Sequence, residues 1–281
     1  MRIARMIVAI AACAVAGWAQ IGNIVVTHAA TFQKGVPWPG SIASLFCTGL
    51  TGIDGIVAAD RYPLPLELAG VRVRIGGAPA PLFAVAQLNG YQQINLQVPP
   101  VGWSGNMAVT VEQGGQQTTV QVPGATTGGE FFRLAGGSGA FQHAADYALV
   151  SPENPARAGE VVIGYLTGLV TPRTTPVVPP GQPAPADPPA VVNQALARGA
   201  SRPRFEIGVG EPPNQKVVAP SFIGLAPGLV GVYQVNFTVP EGLAAGNQPV
   251  RLLENRCLTM FGGCIGFLPH YFSAPVPIAV R

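Results

Sequence analysis

Short runs in which apolar and polar residues alternate recur along the chain. In residues 71–75 valine and isoleucine alternate with arginine, and residues 93–98 and 234–239 repeat this period of two. Such a period places all apolar side chains of a strand on one face, which is typical of half-buried β-strands. Residues 107–112 and 116–122 continue the pattern on either side of a Gly-Gly turn. Because no run has the 3.6-residue period of a helix, the sequence predicts an all-β protein.

The chain contains two copies of one pattern. Residues 39–50 align with residues 158–169 at a constant offset of 119, and both segments end in Thr-Gly-Leu. Residues 93–99 align with residues 234–240 at an offset of 141, so the second copy carries 22 additional residues. We assign most of these to the Pro-rich stretch 170–189, which is predicted to be an extended surface loop.

The two copies define two modules. Glycine and proline fall between the apolar runs, where an antiparallel fold needs its turns. Each copy has roughly the 100 residues of one immunoglobulin-like β-sandwich, and we predict two such sandwiches in tandem. The modules are placed at 23–123 and 155–281, with a Gly-rich linker over 124–154. Equivalent core positions are expected for two sets of three residues: Ile94, Leu96 and Val98, and Val235, Phe237 and Val239.

Residues 1–19 have the composition of a secretory signal peptide. A basic start precedes the apolar run 6–16, which is too short to cross a bilayer. Small residues precede the expected exit, and we predict cleavage after Ala19. The same segment also resembles a lipoprotein box, in which lipid on Cys13 would tether the protein to a membrane. No other segment is long and apolar enough to predict a transmembrane span.

The composition argues against nucleic acid as a partner. Charged residues make up only 10% of the chain, against 48% hydrophobic residues. Cleavage would remove Arg2 and Arg5 and leave 14 basic against 13 acidic side chains. The only lysines are Lys34 and Lys216, and the arginines are scattered. Binding to a polyanion requires clustered lysine and arginine, which this chain lacks.

Short motifs spread over nearly the whole mature chain recur in one known family. They are Pro39-Gly40-Ser41-Ile42, Thr48-Gly49-Leu50, Pro63-Leu64-Pro65-Leu66 with Gly70-Val71, Ala80-Pro81-Leu82-Phe83, Gln93-Ile94-Asn95, Asn154-Pro155-Ala156 and the segment 224–236. In these motifs the chain resembles the tandem immunoglobulin-like modules, in the style of IPT/TIG domains, at the C-termini of acidobacterial extracellular proteins. The resemblance implies a two-module β-sandwich fold and export, and it implies no particular activity.

Residues with catalytic chemistry are sparse and poorly spaced. The three histidines are far apart and outside any metal-binding spacing: His28, His143 and His270. Ser138, His143 and Asp146 lie close together, but no Gly-x-Ser-x-Gly elbow surrounds the serine. Asp54 and Asp60 do not have the spacing of a known calcium loop. We therefore predict a protein that is not an enzyme and has no catalytic, cofactor-binding or metal-binding residues.

Aromatic residues in loops are the candidate ligand contacts. Three of them lie in or beside Pro- and Gly-rich turns: Trp38, Tyr62 and Trp103. Exposed rings at such places can stack on sugars, whereas rings folded over the sandwich ends would only stabilise the modules. Two functions stay open. One is a secreted structural or adhesive protein that binds a cell-surface or extracellular protein or polysaccharide; the other is a carbohydrate-binding module that uses these rings.

Cysteines give a prediction that depends on export. Cys257 and Cys264 flank six residues that end in Gly-Gly, a pair that can reverse the chain and bring the two side chains together. In an oxidising compartment we predict a disulfide between them. Cys47 aligns with Leu166 of the second copy and is expected to be a buried free thiol.

Amides also recur at matched positions of the two copies. Gln93 and Asn95 correspond to Gln234 and Asn236, on the polar side of alternating strands that end at a proline. We interpret all four as structural, because amide side chains can satisfy backbone groups that a proline leaves open.

Overall fold

The alternating pattern folds as predicted into an all-β protein. The computed structural model describes residues 20–88, 90–102, 105–125, 128–169, 174–194, 204–260, 263–271 and 273–281, with the backbone alone for 256–260 and 263–271. Across these ranges it contains twenty-one β-strands and no helix. Accordingly, no helix in the described part of the chain has the length and apolar character that a membrane span requires.

The first module is a sandwich of two antiparallel sheets. Its strands are β1 (Gly22–His28), β2 (Ile42–Thr48), β3 (Gly55–Ala58), β4 (Val71–Ile75), β5 (Ala78–Pro79), β6 (Leu82–Leu88), β7 (Tyr91–Gln97), β8 (Asn106–Gln113) and β9 (Gln116–Pro123). One sheet has the order β1-β2-β7-β6-β3 and the other the order β5-β4-β8-β9. Apolar faces of both sheets form one buried core, which includes Ile94, Leu96 and Val98 as predicted.

The second module has the same two-sheet plan. Its strands are β10 (Glu130–Phe131), β11 (Phe141–His143), β12 (Val161–Thr167), β13 (Thr174–Thr175), β14 (Val191–Val192), β15 (Phe205–Val209), β16 (Lys216–Val218), β17 (Phe222–Leu225), β18 (Tyr233–Thr238), β19 (Gly246–Met260), β20 (Gly263–Tyr271) and β21 (Val276–Val280). One sheet has the order β10-β12-β18-β17-β14-β13, with β11 also on β12. The other has the order β16-β15-β19-β20, with β21 also on β19. Val235, Phe237 and Val239 lie in its core, as expected.

The sequence repeat is also a repeat of strand pairing. In the first module Ile42 lies opposite Gln97 where β2 pairs with β7. In the second, Val161 lies opposite Thr238 where β12 pairs with β18. The offsets of 119 and 141 carry one pair onto the other, and they do so for all six pairs of each ladder. The two modules therefore share both strand order and register in this central part of the sheet.

A second insertion distinguishes the second module. Asn106 faces Pro123 in the β8–β9 hairpin, and the equivalent Asn247 faces Ala279 on β21. The two offsets, 141 and 156, differ by fifteen residues, which the second module uses to lengthen β19 and to add β20. Sequence comparison locates only the first insertion, because no matched motif follows the extended hairpin.

The predicted linker contributes to the second module. Segment 124–154 contains β10 and β11, and both pair with β12. Phe131 and Phe141 are buried, with ring centroids 5.4 Å apart, and Phe141 also lies 6.2 Å from Phe237. The second module thus begins before the predicted boundary at 155. Strands of two and three residues between glycines are too short to show an alternating period, so the pattern did not reveal them.

Candidate functional site

A tight turn at the end of the first module faces the second module. The backbone N–H of Ser41 donates to the carbonyl of Trp38 at 3.1 Å, with Pro39 and Gly40 between them. Gly40 has a φ of +85°, which is the conformation that position requires in a type II turn. Its N–H donates to Val98 O at 2.8 Å, so the turn is fixed to the end of β7.

One threonine hydroxyl joins this turn to the second module. The backbone N–H of Ile42 donates to Thr167 Oγ1 at 3.0 Å, and that hydroxyl donates to Gly231 O at 2.8 Å. Thr167 is fully buried, so both hydrogen bonds are shielded from water. Removing either partner would leave a buried polar group unsatisfied, which is costly.

The Pro-rich loop is held against the first module. The N–H of Gly181 donates to Gln97 Oε1 at 2.7 Å, and its carbonyl accepts from the N–H of Leu64 at 2.8 Å. Gln97 Nε2 also donates to Gly40 O, at 3.2 Å. Of the predicted loop 170–189, Thr174 and Thr175 instead form β13, which pairs with β14, while residues 176–189 form a loop as predicted. Gly181 finds its backbone partners on the first module, whereas Ala184 bonds within the second, to Leu229 O at 3.0 Å and from the N–H of Gly228 at 2.8 Å.

A buried histidine lies at the same junction. His28 is fully buried, and its Nδ1 accepts a hydrogen bond from the N–H of Ala30 at 3.2 Å. An accepting Nδ1 means that the ring is neutral, with its hydrogen on Nε2. Burial lowers the pKa of His28 to about 4, and the backbone of Thr167 opposes this shift in part. Nε2 faces Gly168, where a Cβ would lie 3.0 Å away.

These contacts border a cleft between the modules, called the inter-module cleft below. Its volume is about 350 Å³. Most of its wall consists of proline and aliphatic side chains: Pro39, Val98, Pro100, Val178, Pro179 and Leu225. The described residues that line it include no charged side chain. Its polar lining comes from uncharged groups, among them Tyr233, Thr174 and Gln182.

Tyr233, like Thr167, is a residue of this site that the sequence analysis did not identify. It is 7% exposed, lies on β18, and burial raises its pKa. The offset of 141 makes it equivalent to Gln92 of the first module, whose amide accepts from Leu50 N–H at 2.8 Å and donates to Leu50 O at 2.7 Å. The sequence signal that could have identified Tyr233 is that the other copy has a glutamine at the equivalent position, where its amide bonds to the Leu50 backbone.

The structure does not place the predicted aromatic contacts together at one site, as far as it describes them. Trp38 is half-buried and carries the junction turn, and Tyr62 is 58% exposed. Trp103 lies outside the described residues. Neither Trp38 nor Tyr62 lines the inter-module cleft. Sugar contact by these rings therefore stays a prediction.

The candidate triad is not assembled. His143 Nδ1 lies 2.8 Å from Glu160 Oε1, and its Nε2 lies 3.2 Å from the carbonyl of Asn154. Asp146 instead accepts from the N–H of Ala148 at 2.9 Å. Both ring nitrogens of the histidine are thus engaged by groups other than Ser138 and Asp146. Within the described ranges, no three His, Cys, Asp or Glu side chains come together as metal ligands.

Of the cysteine predictions, the one for Cys47 is confirmed. Cys47 is a free thiol, 5% exposed, and burial raises its pKa to about 11. The side chains of Cys257 and Cys264 lie outside those described, as do Cys13 and the whole predicted signal. In the backbone ladder Cys257 lies opposite Phe267, and Cys264 lies opposite Thr259. The disulfide stays a prediction, which peptide mapping under non-reducing conditions would test.

The recurring amides form the same hydrogen bond in both modules. Gln93 Nε2 donates to Asn95 Oδ1 at 2.7 Å, and Gln234 Nε2 donates to Asn236 Oδ1 at 2.9 Å. In the first module Ser44 Oγ also donates to Asn95, at 3.0 Å. These side chains satisfy one another across the strand surface, and the backbone beside the proline is not their partner. The expected backbone partners are thus wrong, and the structural role stays an interpretation that the matched hydrogen bonds support.

Comparison with known proteins adds little to this picture. No family model and no curated protein matches the chain. Among solved structures it is similar to SGBP-B of the Bacteroides ovatus mixed-linkage glucan utilization locus, in complex with a mixed-linkage heptasaccharide. The match covers 88% of this chain and 42% of that chain, at 12% identity and a TM-score of 0.32. The chain thus spans less than half the length of that protein, and so remote a similarity carries no argument about function.

Proposed function

We propose that this is a non-catalytic binding protein of the bacterial cell exterior, in which two immunoglobulin-like modules act as one rigid unit. The module junction is the observation that carries the proposal. Thr167 and Gly181 of the second module form hydrogen bonds with Ile42, Leu64 and Gln97 of the first. Modules that only needed a tether would not require buried, mutually satisfied polar groups between them. A rigid pair holds its binding surfaces at a fixed distance and angle.

The distribution of reactive side chains supports a role without catalysis. His28 is neutral and enclosed in the junction, and His143 is engaged by Glu160 and by a backbone carbonyl. The thiol of Cys47 is buried and its pKa is raised, which is the opposite of what a nucleophile requires. The predicted signal and the resemblance to acidobacterial extracellular modules support export.

Residual dipolar couplings would test the rigid unit directly. If the modules are fixed, couplings measured in both should fit one alignment tensor. Combined replacement of Thr167 by Val and Gln97 by Ala should loosen the pair and require two tensors. Thr48→Val is the matched control, because Thr48 ends the equivalent strand β2 and is exposed. Two independent tensors for the unmodified protein would contradict the proposal.

Carbohydrate binding through exposed rings is the second candidate. Tyr62 is 58% exposed and Tyr91 is 74% exposed, so both first-module rings are open to solvent. A polysaccharide pull-down should lose capture when either is replaced by alanine and keep it in Tyr147→Ala, whose ring is 65% exposed in the second module. The half-buried Trp38 is a poorer test, since its replacement would also disturb the junction turn. Capture that survives both first-module replacements would exclude this candidate.

A further inference from the structure

The inter-module cleft has the dimensions and position of a small-molecule site. Its volume of about 350 Å³ lies at the lower end of the roughly 300–1,000 Å³ of such sites. Residues of both modules form its wall, with Val98 from the first and Leu225 from the second. Clefts between domains are a preferred location for ligands, because two rigid surfaces enclose one there.

The wall chemistry selects for an uncharged ligand. Proline rings and valine side chains offer apolar contact but no compensation for a charge. A carboxylate or ammonium group moved into such a cleft would lose its hydration without gaining a partner. The ligand's body must therefore be neutral and largely apolar.

Polar groups in the cleft have hydrogen-bonding capacity left over. Tyr233 is 7% exposed and lines the cleft, and its hydroxyl forms no hydrogen bond with any described residue. The side chains of Thr174 and Gln182, which also line the cleft, likewise form none with described residues. Because burial raises the pKa of Tyr233, its hydroxyl keeps its proton and can donate. A ligand oxygen would satisfy it, whereas the equivalent Gln92 of the first module is already satisfied by Leu50.

We propose that the inter-module cleft binds a small uncharged molecule with an apolar body and one or two hydroxyl or carbonyl oxygens, anchored by the hydroxyl of Tyr233. The proposal rests on the rigid two-module unit, because neither module alone forms the cleft. It goes beyond that unit by assigning a ligand class and a position. The site is separate from the exposed rings that would bind a sugar chain.

Protein-detected NMR with benzyl alcohol as the probe tests the site in the intact chain. Titration should give saturable shifts of the methyl groups of Val98, Val178 and Leu225, which come from both modules. Benzoate has a similar ring but a charge, and it should bind at least tenfold more weakly. Cellobiose should give no shifts at these methyl groups. The proposal would be overturned if benzyl alcohol gave no shifts, or shifts confined to the surface of one module. It would also be overturned if benzoate bound equally well or cellobiose bound preferentially.

Two variants separate the anchor from the cleft. Tyr233→Phe keeps the ring and should weaken benzyl alcohol binding at least fivefold, while Tyr147→Phe should leave it unchanged. Val177→Trp changes an exposed position at the rim, 80% exposed, and should block entry without affecting the fold. If Tyr233→Phe binds as well as the unmodified protein, the anchor is wrong; if Val177→Trp does, the location is wrong.

Dipolar couplings from the same samples distinguish this proposal from the rigid unit. One alignment tensor without saturable binding would exclude the ligand site and remain consistent with the rigid unit. Two tensors would exclude both proposals, because the cleft between independently moving modules would have no fixed shape. Saturable binding with one tensor supports both proposals.

Discussion

The Thr-Gly-Leu motifs of the two modules have the same backbone and different surroundings. Gly49 and Gly168 adopt φ values of +89° and +91°, so each motif needs its glycine. Thr48 is exposed and accepts a hydrogen bond from Asn23 Nδ2 at 3.3 Å. Thr167 is fully buried and joins the modules. A repeat therefore conserves local geometry, while its position in the tandem decides which copy becomes part of an interface.

The two modules also differ in the buried ionisable side chain that each encloses. The first encloses His28 at the junction, where burial lowers its pKa to about 4. The second encloses Glu130, whose carboxylate accepts from Ala274 N–H at 3.0 Å. Burial raises the pKa of Glu130 to about 7, against the opposing effects of that hydrogen bond and of Arg133. Burial thus disfavours the charged form of both groups, a cation for His28 and an anion for Glu130.

Phe131→Ala should have the largest effect, because it tests whether segment 124–154 belongs to the second module. The ring is fully buried against Phe141. Its loss should reduce the free energy of unfolding by about 3–5 kcal/mol, as for other large-to-small core changes. Phe32→Ala, at a ring that is 60% exposed in the first module, is the control and should cost little. Equal and small effects in denaturant titrations would show that the segment is only a linker.

The strands with long alternating runs were predictable from sequence, and the short ones were not. Residues 71–75 show their buried face directly, and the structure places them as β4. The two residues of β10 have no period to read, although both are buried in the second module. The same distinction between local and long-range features holds for the individual residues. Cys47 was placed correctly through its alignment with Leu166, because burial is a property of one module. The contacts of Thr167 and the place of Tyr233 in the cleft depend on how the two modules meet, which the pattern of a single strand does not encode.

Stability against pH should show the opposite signs of the two buried groups. For His28 the unfolded pKa of 6.5 exceeds the folded value of about 4, so the unfolded state binds the proton more tightly. Its contribution is complete above pH 6.5 and is lost as the pH falls towards 4. For Glu130 the folded pKa of about 7 exceeds the unfolded 4.5, so its contribution is complete below pH 4.5 and is lost as the pH rises through 7. Each amounts to about 3 kcal/mol.

Variants that remove one group should reveal the other. Between pH 4.5 and 6.5 the two contributions oppose each other in the unmodified protein. Relative to it, the free energy of unfolding of His28→Gln should fall as the pH rises through this window, and that of Glu130→Gln should rise. Urea titrations at half-unit pH steps would measure both slopes. Slopes of equal sign in the two variants would contradict the assignment.

Replacing the two motif threonines should separate the interface from the free surface. Thr167→Val removes the partner of both Ile42 N–H and Gly231 C=O, and it should cost about 1–3 kcal/mol. Thr48→Val changes an exposed side chain and should stay within about 0.5 kcal/mol. Chemical denaturation of both variants gives the comparison. Equal costs would show that the hydrogen bonds of Thr167 across the junction do not stabilise the protein.

Cys47 should give a small effect on stability and the clearest kinetic effect. It occupies the position of Leu166 in the other module, so Cys47→Val keeps an apolar side chain of similar size and should cost less than about 1.5 kcal/mol. The thiol pKa rises from 9.0 to about 11, which lowers the thiolate fraction near pH 8 roughly a hundredfold. Iodoacetamide should therefore label Cys47 at least a hundredfold more slowly in the native protein than after denaturation, as followed by peptide mass spectrometry. Burial alone would add to this protection, since only 5% of the residue is exposed. Rapid native labelling would mean that the first module opens around β2, whereas the second holds the equivalent leucine fully buried.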